Sequence, residues 1–367
     1  MPGLRTFAKA ARERRVLVES LLFLESSRPR LVEAVRAGVR WKRVLDAALR
    51  NGIAPYVYEA LFREGLADLL DPEVLGSLQS AATQNAARNQ LFLSEALRIQ
   101  GVLREQGIES LAMKGAGLIA AIPDLARLRY MSDIDLLLRP DDVPRAVEVL
   151  SARGYQCPVR TSFRGERLDP AAEVAGGEFN HLPPVTTPGG VGVELHSRPP
   201  YGDASRSDVE PLFARSEVLC IRGRNLRVPC LADQRAITSA HVWDHHDGHA
   251  DFVPRHLADV HAFEAGGATA AAVRALHGVR FDEALRADTA LLESANRGGI
   301  SAVLPGRAEA RFSRVGALLE RTIAGPAAQV RNAVEYAIRT RLSSAFPARQ
   351  WMAERYGVRP GSGERSV

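Results

Sequence analysis

The stretch Arg129-Tyr130-Met131-Ser132-Asp133-Ile134-Asp135-Leu136-Leu137-Leu138 decides the fold. Its apolar half is short and aliphatic and runs into Arg139-Pro140, which predicts a buried β-strand. In a strand, residues i and i+2 project from one face. Asp133 and Asp135 are therefore expected side by side at the strand's mouth. Two carboxylates that close repel, and at least one pKa rises unless a cation stands between them. A divalent metal is the usual answer, and magnesium carrying a nucleoside triphosphate suits oxygen ligands. The competing reading is a structural pair bridged to Arg127, Arg129 or Arg139.

Upstream of this strand, Ile108 to Met113 predicts a second short strand ending in Lys114-Gly115-Ala116-Gly117, with a helix taking shape by Leu118 to Ala121. A glycine at a strand-to-helix turn lets backbone approach a phosphate, and a helix N-terminus adds N–H donors. Lys114 would add a point charge; a plain turn is the alternative. Downstream, Asp141-Asp142-Val143-Pro144 predicts a helix start, with Val143, Ala146, Val147 and Leu150 on one face and Gly154 as the stop. Residues 160–178 are polar and loop-like. His181 to Thr187 and Val191 to His196 flank Pro188-Gly189-Gly190 and predict a hairpin. Alternation places Glu194 and His196 on one face of its second strand. If that strand neighbours the Asp133–Asp135 strand, Glu194 completes a carboxylate triad.

The flanks read helical. Residues 14 to about 106 repeat apolar positions at three- and four-residue spacing, and Tyr56, Tyr58, Leu61 and Phe62 are one example. Asp71-Pro72 opens a helix, Ser77 to Gln106 extends it, and Gly107 stops it. From about residue 205 the chain is expected to be helical again, over Ala232–Trp243, Arg255–Phe263, Ala271–Leu276, Ala308–Ala324 and Pro326–Ile338. The fold class is α+β: a small mixed-sheet core at 107–204 between helical regions 1–106 and 205–356, with a disordered tail at 357–367.

The 367 residues are 46% hydrophobic and 25% charged, an ordinary globular composition. A net charge of +5 is small for the length and forms no dense basic block, so nucleic-acid binding is permitted without being indicated. Among 48 basic residues only Lys9, Lys42 and Lys114 are lysine, which singles each of them out. Cys157, Cys220 and Cys230 have no metal or disulfide spacing, which fits a reducing cytoplasm. No stretch approaches the ~18 apolar residues of a membrane span. Near the N-terminus, Glu19 interrupts the run Val16–Leu24, which reads as an amphipathic helix in place of a leader.

Together these residues resemble a known family. Lys114-Gly115, Arg129 to Leu137, Ala146 to Tyr155 with its Arg153-Gly154-Tyr155 end, His181-Leu182-Pro183 and Val193-Glu194-Leu195-His196 are similar to the bacterial uncharacterised nucleotidyltransferases. These are a branch of the DNA polymerase beta-like nucleotidyltransferase superfamily. The resemblance runs from about residue 80 through Ser239-Ala240-His241-Val242-Trp243 to Phe346-Pro347. It implies transfer of a nucleoside monophosphate from a nucleoside triphosphate to a hydroxyl. In that implied site Asp133, Asp135 and Glu194 bind Mg²⁺ or Mn²⁺, and Glu194 helps deprotonate the acceptor. Lys114, Gly115, Arg129 and Ser132 hold the nucleotide, and His181 and His196 support the ligands. The chain departs from the superfamily in lacking serine at the Lys114-Gly115-Ala116-Gly117 turn. The acceptor is open among a small molecule, a protein and RNA; no membrane partner is expected. A non-catalytic nucleotide-binding protein and a helical scaffold with a structural acidic pair are the alternatives.

His241, His245, His246 and His249 form a second cluster, with His256 and His261 beyond it. His241 and His245 have the i,i+4 spacing of helical metal ligands. No cysteine and no HExxH accompany them, so the lining of an acceptor site or a plain helix end competes with a metal site.

Overall fold

The frame of the protein is one long helix. Asp71 caps it, accepting from the Glu73 N–H, and α5 then runs Pro72–Glu105 to Gly107, whose φ of +73° ends it. Before it come α1 (Pro2–Leu21), α2 (Pro29–Arg36), α3 (Trp41–Arg50) and α4 (Ala54–Arg63). In a computed structural model, the residues described are 2–24, 28–157, 160–161, 167–168, 171, 174, 180–201, 204–245 and 253–297. They fall in one compact unit, Met1–Val303; a second unit, Leu304–Val367, holds none of them. The helices expected at 308–324 and 326–338, Phe346-Pro347 and the tail 357–367 therefore lie outside the described residues.

Against α5 sits a four-stranded sheet with the order β1-β2-β6-β5. Strand β1 is Ser110–Met113, β2 is Ile134–Leu138, β5 is Val185–Thr186 and β6 is Gly192–His196. Strands β3 (Arg160–Thr161) and β4 (Arg167–Leu168) pair separately. Every residue of β1 and β2 is buried, as a continuous apolar run predicts. β1 runs antiparallel to β2, and β2 runs parallel to β6. That parallel pairing needs a crossover, and α7 (Val143–Ala152) lies within it. The hairpin expected around Pro188-Gly189-Gly190 is present: Thr187 and Gly190 close its turn, Gly190 has φ +78°, and β5 pairs antiparallel with β6.

Register fixes what the sheet presents. Met113 pairs with Asp135 and Asp135 with Glu194, forming one row across β1, β2 and β6; Leu111, Leu137 and His196 form the next. Leu111, Met113 and Leu137 on this face join Phe213, Ile237 and Leu285 in the core. Helices from the C-terminal half, Leu231–Ala240 and Asp282–Asn296 among them, thus cover the face that carries the carboxylates. The opposite face offers Ile134, Leu136, Val193 and Leu195, all fully buried.

One segment departs from expectation. Residues 217–228, placed in a helical region by sequence, form an antiparallel hairpin of β7 (Glu217–Ile221) and β8 (Arg224–Val228). Arg222 and Gly223 turn it with φ of +52° and +73°. Two positive φ values in succession favour tight strand reversal over helix. Glycine next to a run of β-branched and aliphatic residues was the available signal. Among the described residues no helix is long and apolar enough to cross a membrane.

Candidate active site

β2 begins at Ile134, so Asp135 is inside the strand and Asp133 stands in the bend before it. Asp135 is 2% exposed. Its neighbour across the parallel pairing is Glu194, which brings two carboxylates together from residues 59 positions apart in sequence. His196, two residues beyond Glu194, reaches back across the same face. Its Nε2 lies 3.0 Å from Asp135 Oδ1 and 3.5 Å from Glu194 Oε2. Each of the three offers one ligand atom, and these atoms all lie within 4.8 Å of one another.

Lys114 provides the cation. It follows Met113, the β1 residue paired with Asp135, so the end of β1 delivers it to the row. Its Nζ is 2.6 Å from Asp135 Oδ1. Lys114 opens α6 (Lys114–Ala121) with φ +46°, a left-handed conformation that costs a non-glycine residue strain. The arginines that sequence offered as structural partners are engaged elsewhere: Arg127 with Glu59, Arg129 with Asp259, and Arg139 with Glu109 and Glu210.

Charge sets the protonation pattern. Burial opposes ionisation of Asp135, but the Lys114 ammonium and the His196 hydrogen bond hold its carboxyl far below the usual range. Glu194 is likewise lowered against burial, by His196 and His181. Asp133 goes the other way: burial first, then the charges of Asp135 and Glu194, raise it despite Lys114 and a hydrogen bond from Ser132. Burial opposes protonation of Lys114 and His196, yet the same carboxylates raise both. His181 is lowered by burial and by neighbouring His196, whose ring centre is 4.9 Å away. Its Nδ1 donates to the Leu182 carbonyl at 2.7 Å and stands 3.9 Å from Glu194.

The structure thus brings Lys114, Asp135, Glu194 and His196 into contact, with His181 beside them. Asp133 lies within electrostatic reach but outside that closest group. Ser132 is exposed at the bend. Gly115 is buried, and a Cβ there would fall 2.8 Å from Met131 Sδ and 3.0 Å from an Arg129 nitrogen. The close approach this glycine allows is that of the chain's own 129–131 segment. A Cβ at Gly117 would overlap the Ala112 carbonyl oxygen, so α6 can lie on β1 only with glycine there.

Several residues that sequence did not single out hold the Arg129–Asp133 segment. Asn85 donates to the Arg127 and Arg129 carbonyls, and Asn89 to those of Ala126 and Arg129. They are spaced i,i+4 on α5 and buried, a pattern visible in sequence as two polar residues on an apolar helix face. Arg129 makes a bidentate pair with Asp259, at 2.8 and 2.9 Å. Tyr130 has the guanidiniums of Arg88 and Arg255 over its ring, 4.8 and 5.6 Å from its centre. The segment leading to Ser132 and Asp133 is thus held from α5 and from the helix Val253–Ala265.

The histidine-rich segment divides. His241–His245 form a π-helical turn, His246 and His249 lie outside the described residues, His256 is bound to Asp288, and His261 packs edge-on to Phe23. Among the described residues, the group able to hold a metal ion is Asp135, Glu194 and His196.

Residues 37–272 match the family described as uncharacterised nucleotidyltransferase. Among solved structures, an antigenic nucleotidyltransferase-like protein from Paracoccidioides brasiliensis is similar over 54% of this chain and 91% of its own, at 14% identity and a TM-score of 0.25. No curated protein matches the chain.

Proposed function

The chain belongs to the uncharacterised nucleotidyltransferase family, and from that premise we propose that it transfers a nucleoside monophosphate from a nucleoside triphosphate to a hydroxyl acceptor. The observation that carries this reading is the pairing of Asp135 with Glu194 on adjacent parallel strands, with Lys114 at the turn beside them. Three buried or half-buried carboxylates around one lysine leave a surplus of negative charge. Such a surplus is costly for a purely structural cluster and useful for holding a divalent cation.

The donor set fits such a cation. Two carboxylate oxygens and one imidazole nitrogen converge within 4.8 Å, and Asp133 adds a further carboxylate from the preceding bend. Mg²⁺ or Mn²⁺ bound there supplies charge stabilisation for the attacking and leaving oxygens of an in-line displacement. The acceptor oxygen bonds to the α-phosphorus as that phosphorus parts from the bridging oxygen of the β-phosphate, and pyrophosphate leaves. Glu194, kept ionised by His196, takes the proton of the acceptor hydroxyl. Lys114 meets the triphosphate through its ammonium, and Ser132 offers a hydroxyl from the bend. Arg129 and Gly115 shape the nucleotide turn from beneath. His181 and His196 orient Glu194 and Asp135. The acceptor is a small molecule, a protein hydroxyl or an RNA end. Three free cysteines fit a cytoplasmic setting.

Incubating the protein with each α-labelled nucleoside triphosphate and Mg²⁺ or Mn²⁺, alone and with RNA, protein and metabolite extracts, tests the reading. Label transfer with pyrophosphate release supports it. Tight nucleotide binding without either product favours a non-catalytic nucleotide-binding protein, for which the Lys114–Asp135 ion pair is the observation in hand.

A further inference from the structure

Asp135 Oδ1 is already fully engaged. Lys114 Nζ lies 2.6 Å from it and His196 Nε2 3.0 Å from it, and the side chains of Lys114 and Asp135 are 14% and 3% exposed. A cation binding at this oxygen must move one of them. His196 is fixed in β6 with a rigid ring, whereas Lys114 hangs on a four-carbon stem from the start of α6. We propose that Lys114 is a built-in counter-ion occupying the cation position beside Asp135, released when a triphosphate takes its ammonium, so that the chain binds divalent metal and nucleotide together and the metal alone only weakly. This rests on the nucleotidyltransferase reading and adds to it an order of assembly.

Three further observations support the assignment. First, Lys114 adopts φ +46°, and the other non-glycine residue with positive φ among those described is Arg222 at a hairpin turn. Glycine would fill such a position without strain, so the side chain is what the position requires. Second, Arg127, Arg129 and Arg139 are paired with other carboxylates, whereas Lys114 contacts Asp135 directly and lies within electrostatic reach of Glu194 and Asp133. Third, in a chain with three lysines among 48 basic residues, this one is lysine. A compact ammonium on a flexible stem can exchange one oxyanion for another, where a guanidinium fork would lock onto one. Because coupling is reciprocal, whatever nucleotide adds to metal affinity, metal adds to nucleotide affinity.

Mn²⁺ binding to the full chain, followed by electron paramagnetic resonance with and without an α,β-methylene triphosphate analogue, tests this. The wild type should bind Mn²⁺ about tenfold more tightly with the analogue, a coupling of ordinary size. Lys114→Gln should bind Mn²⁺ alone about tenfold more tightly than wild type, with the analogue adding about twofold or less. Lys114→Arg should keep weak metal binding. A folded Lys114→Gln protein with unchanged or weaker Mn²⁺ affinity would overturn the proposal, as would equal Mn²⁺ affinity of the wild type with and without analogue. Those results leave the nucleotidyltransferase reading standing, whereas no Mn²⁺ binding by any form under any condition overturns both. Should Lys114→Gln fail to fold, amine acylation of the wild type with mass-spectrometric readout decides. Lys114 should be protected in the free chain and become reactive at saturating Mn²⁺, with exposed Lys42 unchanged. Lys114 reactivity indifferent to Mn²⁺ sinks the idea.

Discussion

Among the buried aspartates that hold a histidine, Asp288 and Asp135 are built for opposite ends. Asp288, on the helix Asp282–Asn296, is fully enclosed. It accepts from Ser239 Oγ at 2.6 Å and Trp243 Nε1 at 2.7 Å, and pairs with His256 Nε2 at 2.6 Å. Arg235 lies 3.7 Å away and is itself tied to Glu264 and the Ala268 carbonyl. One carboxylate is met by several donors. Asp135 has the reverse balance: it shares Lys114 and His196 with Glu194 and has Asp133 nearby. A satisfied carboxylate stitches helices together; a crowded one leaves negative charge to be shared with a visiting cation. Charge balance, more than burial, separates Asp288 from the aspartate we propose as functional.

That comparison breaks first on stability. Asp288→Ala strands buried donors and should cost about 3–5 kcal/mol, read as a fall in the urea midpoint. Asp135→Asn removes a carboxylate that Lys114 and His196 stabilise, but leaves both beside Glu194, with Asp133 near Lys114, so its cost should be smaller, roughly 1–2 kcal/mol. Equal losses at the two sites would erase the distinction.

Much of this contrast could not be read from sequence. β2, the β5–β6 hairpin and α5 were legible because aliphatic runs, a Pro-Gly-Gly turn and an Asp-Pro cap act locally. Asp135 and Glu194 were legible as types, and their union followed once the two strands were neighbours. The cation was not: Arg127, Arg129 and Arg139 are adjacent in sequence, yet the chain sends each to another carboxylate and reaches Asp135 from β1. The i,i+2 rule also overstated Asp133, because β2 starts one residue after it. His196, weighed as a supporting residue, stands closer to Asp135 than that rule suggested for Asp133. Asp288 carried no signal at all, since its three partners lie 32 to 49 residues away. The Ser239–Trp243 stretch of the family resemblance gains its physical meaning there: Ser239 and Trp243 are two of those partners.

A smaller effect is expected where the two environments meet. Asp259 joins Arg129, beside the bend, to the helix Val253–Ala265. Asp259→Ala should cost roughly 2–3 kcal/mol by leaving a largely buried guanidinium unpaired. It should also lower nucleotide affinity through the loosened bend, whereas Asp288→Ala should leave the affinity of surviving folded protein unchanged. Equilibrium binding of a triphosphate analogue to both variants checks this.

Acid sharpens the contrast further. Burial opposes ionisation of Asp288, yet His256, Ser239 and Trp243 lower its pKa below the ordinary value. A depressed carboxyl contributes stability above its unfolded pKa of about 3.9 and loses it as pH falls through the folded value. The stability gap between wild type and Asp288→Asn should therefore be constant from pH 7 to 5 and shrink below about pH 4. Urea midpoints across that range measure it, and a gap that widens on acidification contradicts the account. The mildest expectation concerns thiols. Burial first, then the adjacent Asp233 carboxylate, pushes the Cys230 thiol up to about 11, while Cys220 is exposed on β7. Iodoacetamide at pH 8 should label Cys220 and spare Cys230 until the protein is unfolded.

The central claim is that the Asp135–Glu194 pair is the reacting centre of a nucleotidyltransferase. Pyrophosphate release and α-label transfer, measured on wild type, Asp135→Asn and Glu194→Gln with Mg²⁺ or Mn²⁺, test it most directly. The account predicts metal-dependent transfer by the wild type and a loss of more than about 100-fold in each folded variant. Undiminished transfer by Asp135→Asn would contradict it.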